Sequence, residues 1–171
     1  MSNGTTYYGK YRGTCVNNVD PMQLGRIQVI VPDVSSVMLS SWAMPCVPVA
    51  GLQTGMLAVP PIGAGVWVEF EQGDPDYPIW TGCYWGSAAE IPALARLSVP
   101  PVSGWAFQTL LQNGIVVTDL PGPTGGIMLK STTGASIIVN DTGIYIQNGR
   151  GASIVMVGPT VTVNNGALVI T

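Results

Sequence analysis

The acidic residues that could do chemistry lie close together in the chain: Glu69 and Glu71, followed by Asp74 and Asp76. Alternate positions of an extended strand share a face and stand roughly 7 Å apart, from about 3.3 Å of rise per residue. Two carboxylates at a controlled separation are what glycoside hydrolysis uses, one as acid and the other as base or nucleophile. The competing reading is an outer strand face that runs into the turn Gly73-Asp74-Pro75-Asp76, where an Asp side chain accepts from its own backbone. A regular strand and turn offer no cleft. The second reading is therefore preferred, no catalytic residue is assigned, and the chain is expected not to be an enzyme.

Other chemistries meet similar limits. Trp42, Trp67, Trp80, Tyr84 and Trp85 could make a platform for stacking sugars or bases, but they read better as core residues or aromatic anchors at subunit contacts. Gly63-Ala64-Gly65 has no following Lys and no helix, so it is not a phosphate loop. The chain has no His, which removes His-dependent triads and HExxH zinc sites. Cys15, Cys46 and Cys83 form no CxxC pair and are odd in number; they are expected to be reduced, buried thiols. No cofactor or metal is expected. Arg12 and Arg26 are candidates to pair with the acids.

Composition narrows the class. The 171 residues include only six Lys+Arg and nine Asp+Glu, for a net charge of −3. Six cations cannot track a phosphate backbone, so no nucleic-acid partner is expected. Hydrophobic residues make up 47% and the mean hydropathy is +0.38, the reverse of a disordered chain. The stretch Val34–Val68 has no charge, but Pro45, Pro48, Pro60, Pro61 and several glycines interrupt it, so it does not read as a spanning helix. The first residues lack the basic and apolar regions of a signal peptide, which points to synthesis in the cytoplasm. An oily chain with so little charge is expected to hide surface against other chains.

The elements that must position these residues are short strands. Tyr7–Val16 is one. Ile27, Val29 and Val31 share the inner face of the next, and Ser41–Val49, with two prolines, reads as an edge strand or extended crossover. In Gly65–Glu71, Val66, Val68 and Phe70 point one way while Trp67, Glu69 and Glu71 point the other. After the Asp-Pro turn, Ile79–Trp85 returns as a strand with Gly82 inside it. Five such strands predict a small closed barrel over residues 1–90. Residues 91–113, with one helical turn and Ser98-Val99-Pro100-Pro101-Val102, read as a linker.

Residues 114–171 read as a second domain, a shaft, and from about Gly125 the sequence repeats. Apolar pairs at i and i+2 recur as Ile127/Leu129, Ile137/Val139, Ile144/Ile146, Ile154/Met156, Val161/Val163 and Leu168/Ile170. Gly134-Ala135-Ser136-Ile137 recurs 17 residues later as Gly151-Ala152-Ser153-Ile154. Strands of about four residues, roughly 13 Å long, offer two inward side chains each. They cannot enclose a core alone, but several chains wound around a common axis can. The alternatives are a single-chain β-solenoid and a meander packed on the barrel.

The ordered series Gly13-Thr14-Cys15-Val16, Asp20-Pro21, Gly25-Arg26-Ile27-Gln28-Val29, Trp42-Ala43-Met44-Pro45, Pro60-Pro61-Ile62-Gly63, Val66–Phe70 and Gly73–Pro78, leading to Gly82, resembles the central spikes of contractile tails. These are the phage baseplate assembly protein V group, related to the spikes of type VI secretion and other contractile injection systems. The repeat is similar to that family's shaft. The resemblance implies an all-β fold: an OB-type five-stranded barrel followed by an intertwined triple-stranded β-helix, in a homotrimer. It implies a structural part of a virion tail baseplate or injection-system particle, assembled in the bacterial cytoplasm. Such a spike docks on a baseplate hub protein and pierces the target cell envelope. The six pairs above would then form the trimer core. The chain has no room for the lysozyme domain that some members carry, and without His it cannot form their His-x-His iron tip. The apolar end, Leu168, Val169, Ile170 and Thr171, resembles instead a blunt platform for a separate PAAR-type tip protein. Two other functions compete: a carbohydrate-binding or depolymerising tail protein, and a plain oligosaccharide- or single-strand-binding barrel.

Overall fold

The computed structural model describes residues 5–98 and 100–170, in two units, Met1–Ala88 and Ala89–Thr171. No helix among the described residues is long and apolar enough to cross a membrane.

The first unit contains β1 (Tyr11–Asn17), β2 (Gln28–Ile30), the one-turn helix α1 (Pro32–Ser35), β3 (Met44–Pro45), β4 (Ala50–Gly51), β5 (Thr54–Gly55), β6 (Gly65–Phe70) and β7 (Pro78–Tyr84). Five of the strands form one sheet in the order β2-β1-β6-β7-β3, with β4 and β5 as a separate small hairpin. The two ends of the sheet meet through a bridge between Ile27 and Ala43. Ile27 N donates to Ala43 O at 3.2 Å and Ala43 N to Ile27 O at 2.7 Å. This closes the expected barrel and leaves few unpaired strand edges.

Alternation places the core. Val66, Val68 and Phe70 of β6 point inward, toward Ile27, Val29, Val31, Cys15, Ala43 and Trp80. A residue period of two sends every second side chain inward, so one hydrophobic run fills the barrel from each strand. Thr81 is an extra residue in β7: Trp67 faces Gly82 while Val68 faces Trp80. Such a bulge bends the strand and helps a small sheet curl shut. The strand ends earlier than its alternation suggested. Glu71 leaves β6 and starts a 3-10 turn, Glu71–Gly73, in which Gln72 has φ 53°. Glu69 and Glu71 are therefore not a pair on one strand face.

The second unit opens with the 3-10 helix Ala93–Ser98 and continues as β8 (Gly104–Gln108), β9 (Gly114–Thr118), β10 (Gly126–Lys130), β11 (Ser136–Asn140), β12 (Gly143–Gln147), β13 (Ser153–Val157), β14 (Thr160–Val163) and β15 (Leu168–Ile170). The eight strands lie side by side in chain order, each antiparallel to the next. The stretch read as a linker, 91–113, thus carries a 3-10 helix and the first strand of the sheet. Trp105 and Phe107 sit across from Val117 and Ile115, and that pairing draws the segment into the ladder.

The helix Ala93–Ser98 covers the side of the sheet where Val116 points. Leu94 N donates to Gln108 Oε1 at 2.9 Å and Thr118 Oγ1 to Leu97 O at 3.0 Å. Gly104 and Gly114 make this approach possible, because a Cβ there would stand 2.5 Å from Ser98 Oγ and 2.3 Å from Leu94 Cδ1. Val116 and Thr118 are buried as a result.

Candidate assembly interface

The strongest candidate surface is the other side of this sheet. Register places the side chains in two unbroken columns. One runs Trp105, Val117, Ile127, Val139, Ile144, Met156, Val161, Ile170. Beside it runs Phe107, Ile115, Leu129, Ile137, Ile146, Ile154, Val163, Leu168. All sixteen are apolar. The opposite side mixes Val116, Met128, Ile138 and Val155 with Tyr145, Thr162, Lys130, Ser136, Asn140 and Gln147.

None of the sixteen is buried among the described residues. Eleven of the sixteen are exposed, from 36% at Ile146 to 57% at Ile170, and Val117, Ile144, Met156, Val161 and Val163 are half-buried. A fully buried Leu or Ile gains about 1.5–3 kcal/mol, so each of the exposed ones has roughly 1 kcal/mol still to gain. An apolar face of this extent marks an interaction site.

The six pairs named from the sequence all lie in the columns. The structure adds Trp105/Phe107 and Ile115/Val117, which carry the same i, i+2 signal. They escaped the repeat because the long connection 119–125 sets Ile115 and Ile127 twelve residues apart and breaks the 17-residue period. Leu168 and Ile170 of the apolar end lie on the last strand, β15; Thr171 and the Val169 side chain lie outside the described residues. Within one chain each strand hydrogen-bonds to the next segment of sequence, forming a continuous ladder. What remains for other chains is the side-chain face.

The polar residues of the barrel go to separate places. Arg26 and Asp20 form an ion pair, Nη2 to Oδ1 at 2.6 Å, with Arg26 Nε 3.1 Å from both carboxylate oxygens. Asp20 also accepts from the backbone N–H groups of Met22, Leu24 and Arg26. The Arg26 side chain, helped by these N–H groups and opposed by desolvation, holds the Asp20 carboxyl well below the usual carboxylate range. The same contact raises Arg26. The Arg26 guanidinium also lies 5.4 Å from the Trp42 ring centre. This unit fixes the loop between β1 and β2.

Glu69 pairs with Lys10 at 2.7 Å, and Lys10 also reaches Thr81 Oγ1 at 2.9 Å. Arg12 stands over Trp67 and Tyr84, 5.5 and 5.3 Å from their ring centres. Asp74 Oδ1 accepts from Asp76 N at 3.0 Å, the self-capping turn expected from the sequence. Glu71 and Asp76 line an open groove of about 570 Å³ with Arg26, Trp42 and Cys46, while Glu69 is taken by Lys10 elsewhere. The acids therefore form no opposed pair, and the tryptophans no common platform: Trp80 is core, and Trp85 is largely exposed. All three cysteines are free, but only Cys15 is buried, and burial pushes its thiol up; Cys46 and Cys83 are exposed. Both exposed cysteines lie near strand ends, where alternation says little about burial.

Two family models match the chain. Residues 11–85 match the type VI secretion system/phage-baseplate injector OB domain. Residues 105–169 match the phage baseplate V C-terminal trimerisation domain. The chain belongs to the phage baseplate V spike family. No curated protein matches it. The barrel of this spike protein is the injector OB domain, and its eight-stranded sheet is the trimerisation domain, which begins at Trp105, the first residue of the columns. The spike protein is a structural component of a tail or injection particle, and a homotrimer. Neither match supports a carbohydrate-binding tail protein.

Proposed function

We propose that this chain is the central spike of a contractile tail or injection-system baseplate, acting mechanically and without catalysis. Three copies turn their apolar columns toward a shared axis and form the intertwined three-chain shaft. Its core is Ile127, Leu129, Ile137, Val139, Ile144, Ile146, Ile154, Met156, Val161, Val163, Leu168 and Ile170, extended by Trp105, Phe107, Ile115 and Val117. The observation that carries this reading is the pair of columns, sixteen apolar side chains in register, eleven of them exposed in the single chain.

A dry axial core flanked by continuous ladders resists compression, because interior packing is dense and incompressible. That suits a rod that carries axial force into a target cell envelope. The barrel supplies the contact with the baseplate hub protein. Exposed apolar residues on its connections support this, Leu52 at 96% exposure on the β4–β5 turn and Val37 at 82% after α1. Leu168 and Ile170, on the outermost strand, are residues a PAAR-type tip protein would cover, and the same role is proposed for Val169 and Thr171 from their place in the sequence.

Native mass spectrometry of the purified chain tests the reading. The expected mass is that of three 17.9 kDa chains. A monomer at micromolar concentration would sink it.

A further inference from the structure

The sheet of the trimerisation domain has only four charged residues, Asp119, Lys130, Asp141 and Arg150, and the topology sorts them by sign. In a sequential antiparallel meander, alternate connections fall on opposite edges. Connections 109–113, 131–135, 148–152 and 164–167 lie on one edge. Lys130 ends β10 at this edge, and Arg150 lies in the 148–152 connection. The other edge carries 119–125, 141–142 and 158–159, and therefore Asp119 and Asp141. Contacts along each edge agree: Thr132 N donates to Asn113 Oδ1 at 3.0 Å on the first. On the second, Gly122 N donates to Asp141 and Asn140 Nδ2 to Pro123 O. Both cations stand on one edge and both anions on the other.

None of the four is in an ion pair among the described residues. Within a chain the edges cannot meet, since a five-residue strand holds them roughly 13 Å apart. The spacing also matches. Asp119 and Asp141 are separated by two strands, β10 and β11, and Lys130 and Arg150 by nearly the same number. At about 4.8 Å per strand that is roughly 10 Å on each edge.

We propose that in the homotrimer the cationic edge of each chain lies against the anionic edge of the next, so that Lys130 and Arg150 of one copy face Asp119 and Asp141 of its neighbour. This rests on the three-chain reading above and adds the direction of assembly. A head-to-tail contact uses two different patches and closes into a ring under rotation, whereas an isologous edge contact would set acid against acid. The cations lie one to two strands, ~5–10 Å, further along the sheet than the anions, an offset that strands inclined to the axis take up. Exposed pairs of this kind contribute more to register and partner choice than to affinity. The columns supply the affinity and the edges choose the arrangement.

The test uses the full chain in three forms: K130E/R150E, D119K/D141K, and the fourfold swap. Trimer and monomer are counted by light scattering through a urea series at low salt. Each double variant should dissociate at a clearly lower denaturant concentration than the parent, and the fourfold swap should recover most of the loss. High salt should narrow the differences. Asp141 also accepts from Gly122 N, so a cross-linking pair avoids dependence on that loop. In a background with the exposed Cys46 and Cys83 replaced by Ser, D119C/K130C should give covalent trimers on oxidation, whereas each single substitution should not; a disulfide within one chain is ruled out by the width of the sheet. If the parent is a trimer but the double variants match it, the swap rescues nothing and no covalent trimer forms, the edge pairing is wrong while the trimer stands. A monomeric parent would instead overturn the reading beneath both.

Discussion

Ile144 and Met156 face each other across the ladder between β12 and β13, and both project from the side of the sheet that carries no polar residue. On its other flank Ile144 meets Val139. It is thus central to one apolar column, and a charge there has no neighbour to pair with.

Replacing Ile144 with Asp sets three like charges around the proposed axis. Each costs several kcal/mol when buried unpaired. The expected outcome is loss of the trimer, read as a shift from three-chain to one-chain mass by native mass spectrometry. Thr162→Val, on the opposite side of the sheet, should leave the mass unchanged. An I144D variant that stays trimeric would show that this side is not buried.

Trp105 and Phe107 stand edge to face, 6.3 Å between ring centres, and both are about half exposed in the single chain. If three copies bury them, Trp105→Ala should cost about 3–5 kcal/mol per site, the range for large aromatics removed from a core. Thermal unfolding of the trimer should fall by many degrees. A change within the error of a surface substitution would end the columns at β9.

Acid should weaken the barrel through Asp20. Its folded pKa is depressed by Arg26, so its stabilising effect is complete above the unfolded value near 3.9 and is lost as pH falls through the folded one. Chemical denaturation of the parent should therefore show declining stability of the barrel below about pH 4. In Asp20→Asn that part of the slope should vanish and stability at neutral pH should be lower. Equal slopes in the two proteins would remove the pair from this role.

Gly126 and Gly151 separate two costs of a side chain. Both have positive φ, 80° and 103°. A Cβ at Gly126 would lie 2.1 Å from Val139 O, whereas at Gly151 nothing lies within 4 Å. Gly151→Ala should cost about 1–2 kcal/mol from backbone strain alone. Gly126→Ala should cost clearly more, because the β10–β11 ladder must shift. Comparing the two midpoints of urea unfolding checks the order.

Leu52→Asp combined with Val37→Asp should leave the trimer mass and melting temperature unchanged, since both side chains are almost wholly exposed. Incorporation into assembled particles should drop if the barrel connections meet the hub. Normal incorporation would move the hub contact elsewhere on the barrel.

Much of this was legible in the chain because alternation is a local property. A strand sends successive side chains to opposite faces whatever surrounds it, so Val66, Val68 and Phe70 were readable as inner residues and the pairs from Ile127 to Ile170 as one face. Resemblance to the baseplate V spikes rested on motifs of the barrel, now matched by the injector OB domain. Less visible was whatever depends on where a strand stops or which segment lies beside it. Glu71 departs from β6 into a turn, and Trp105 and Phe107 join the columns through partners at Val117 and Ile115.

The sequence by itself determined an all-β chain, a barrel core, a repeated apolar face and a shortage of charge that called for partners. Tertiary structure alone decided that Arg26 takes Asp20, that Glu69 goes to Lys10, and that sixteen side chains align in two columns. It also sent two cations and two anions to opposite edges. The reason is physical: side-chain alternation follows from the geometry of one strand, but register and edge follow from the lengths of the connections and the hydrogen bonds between strands, which no local pattern encodes.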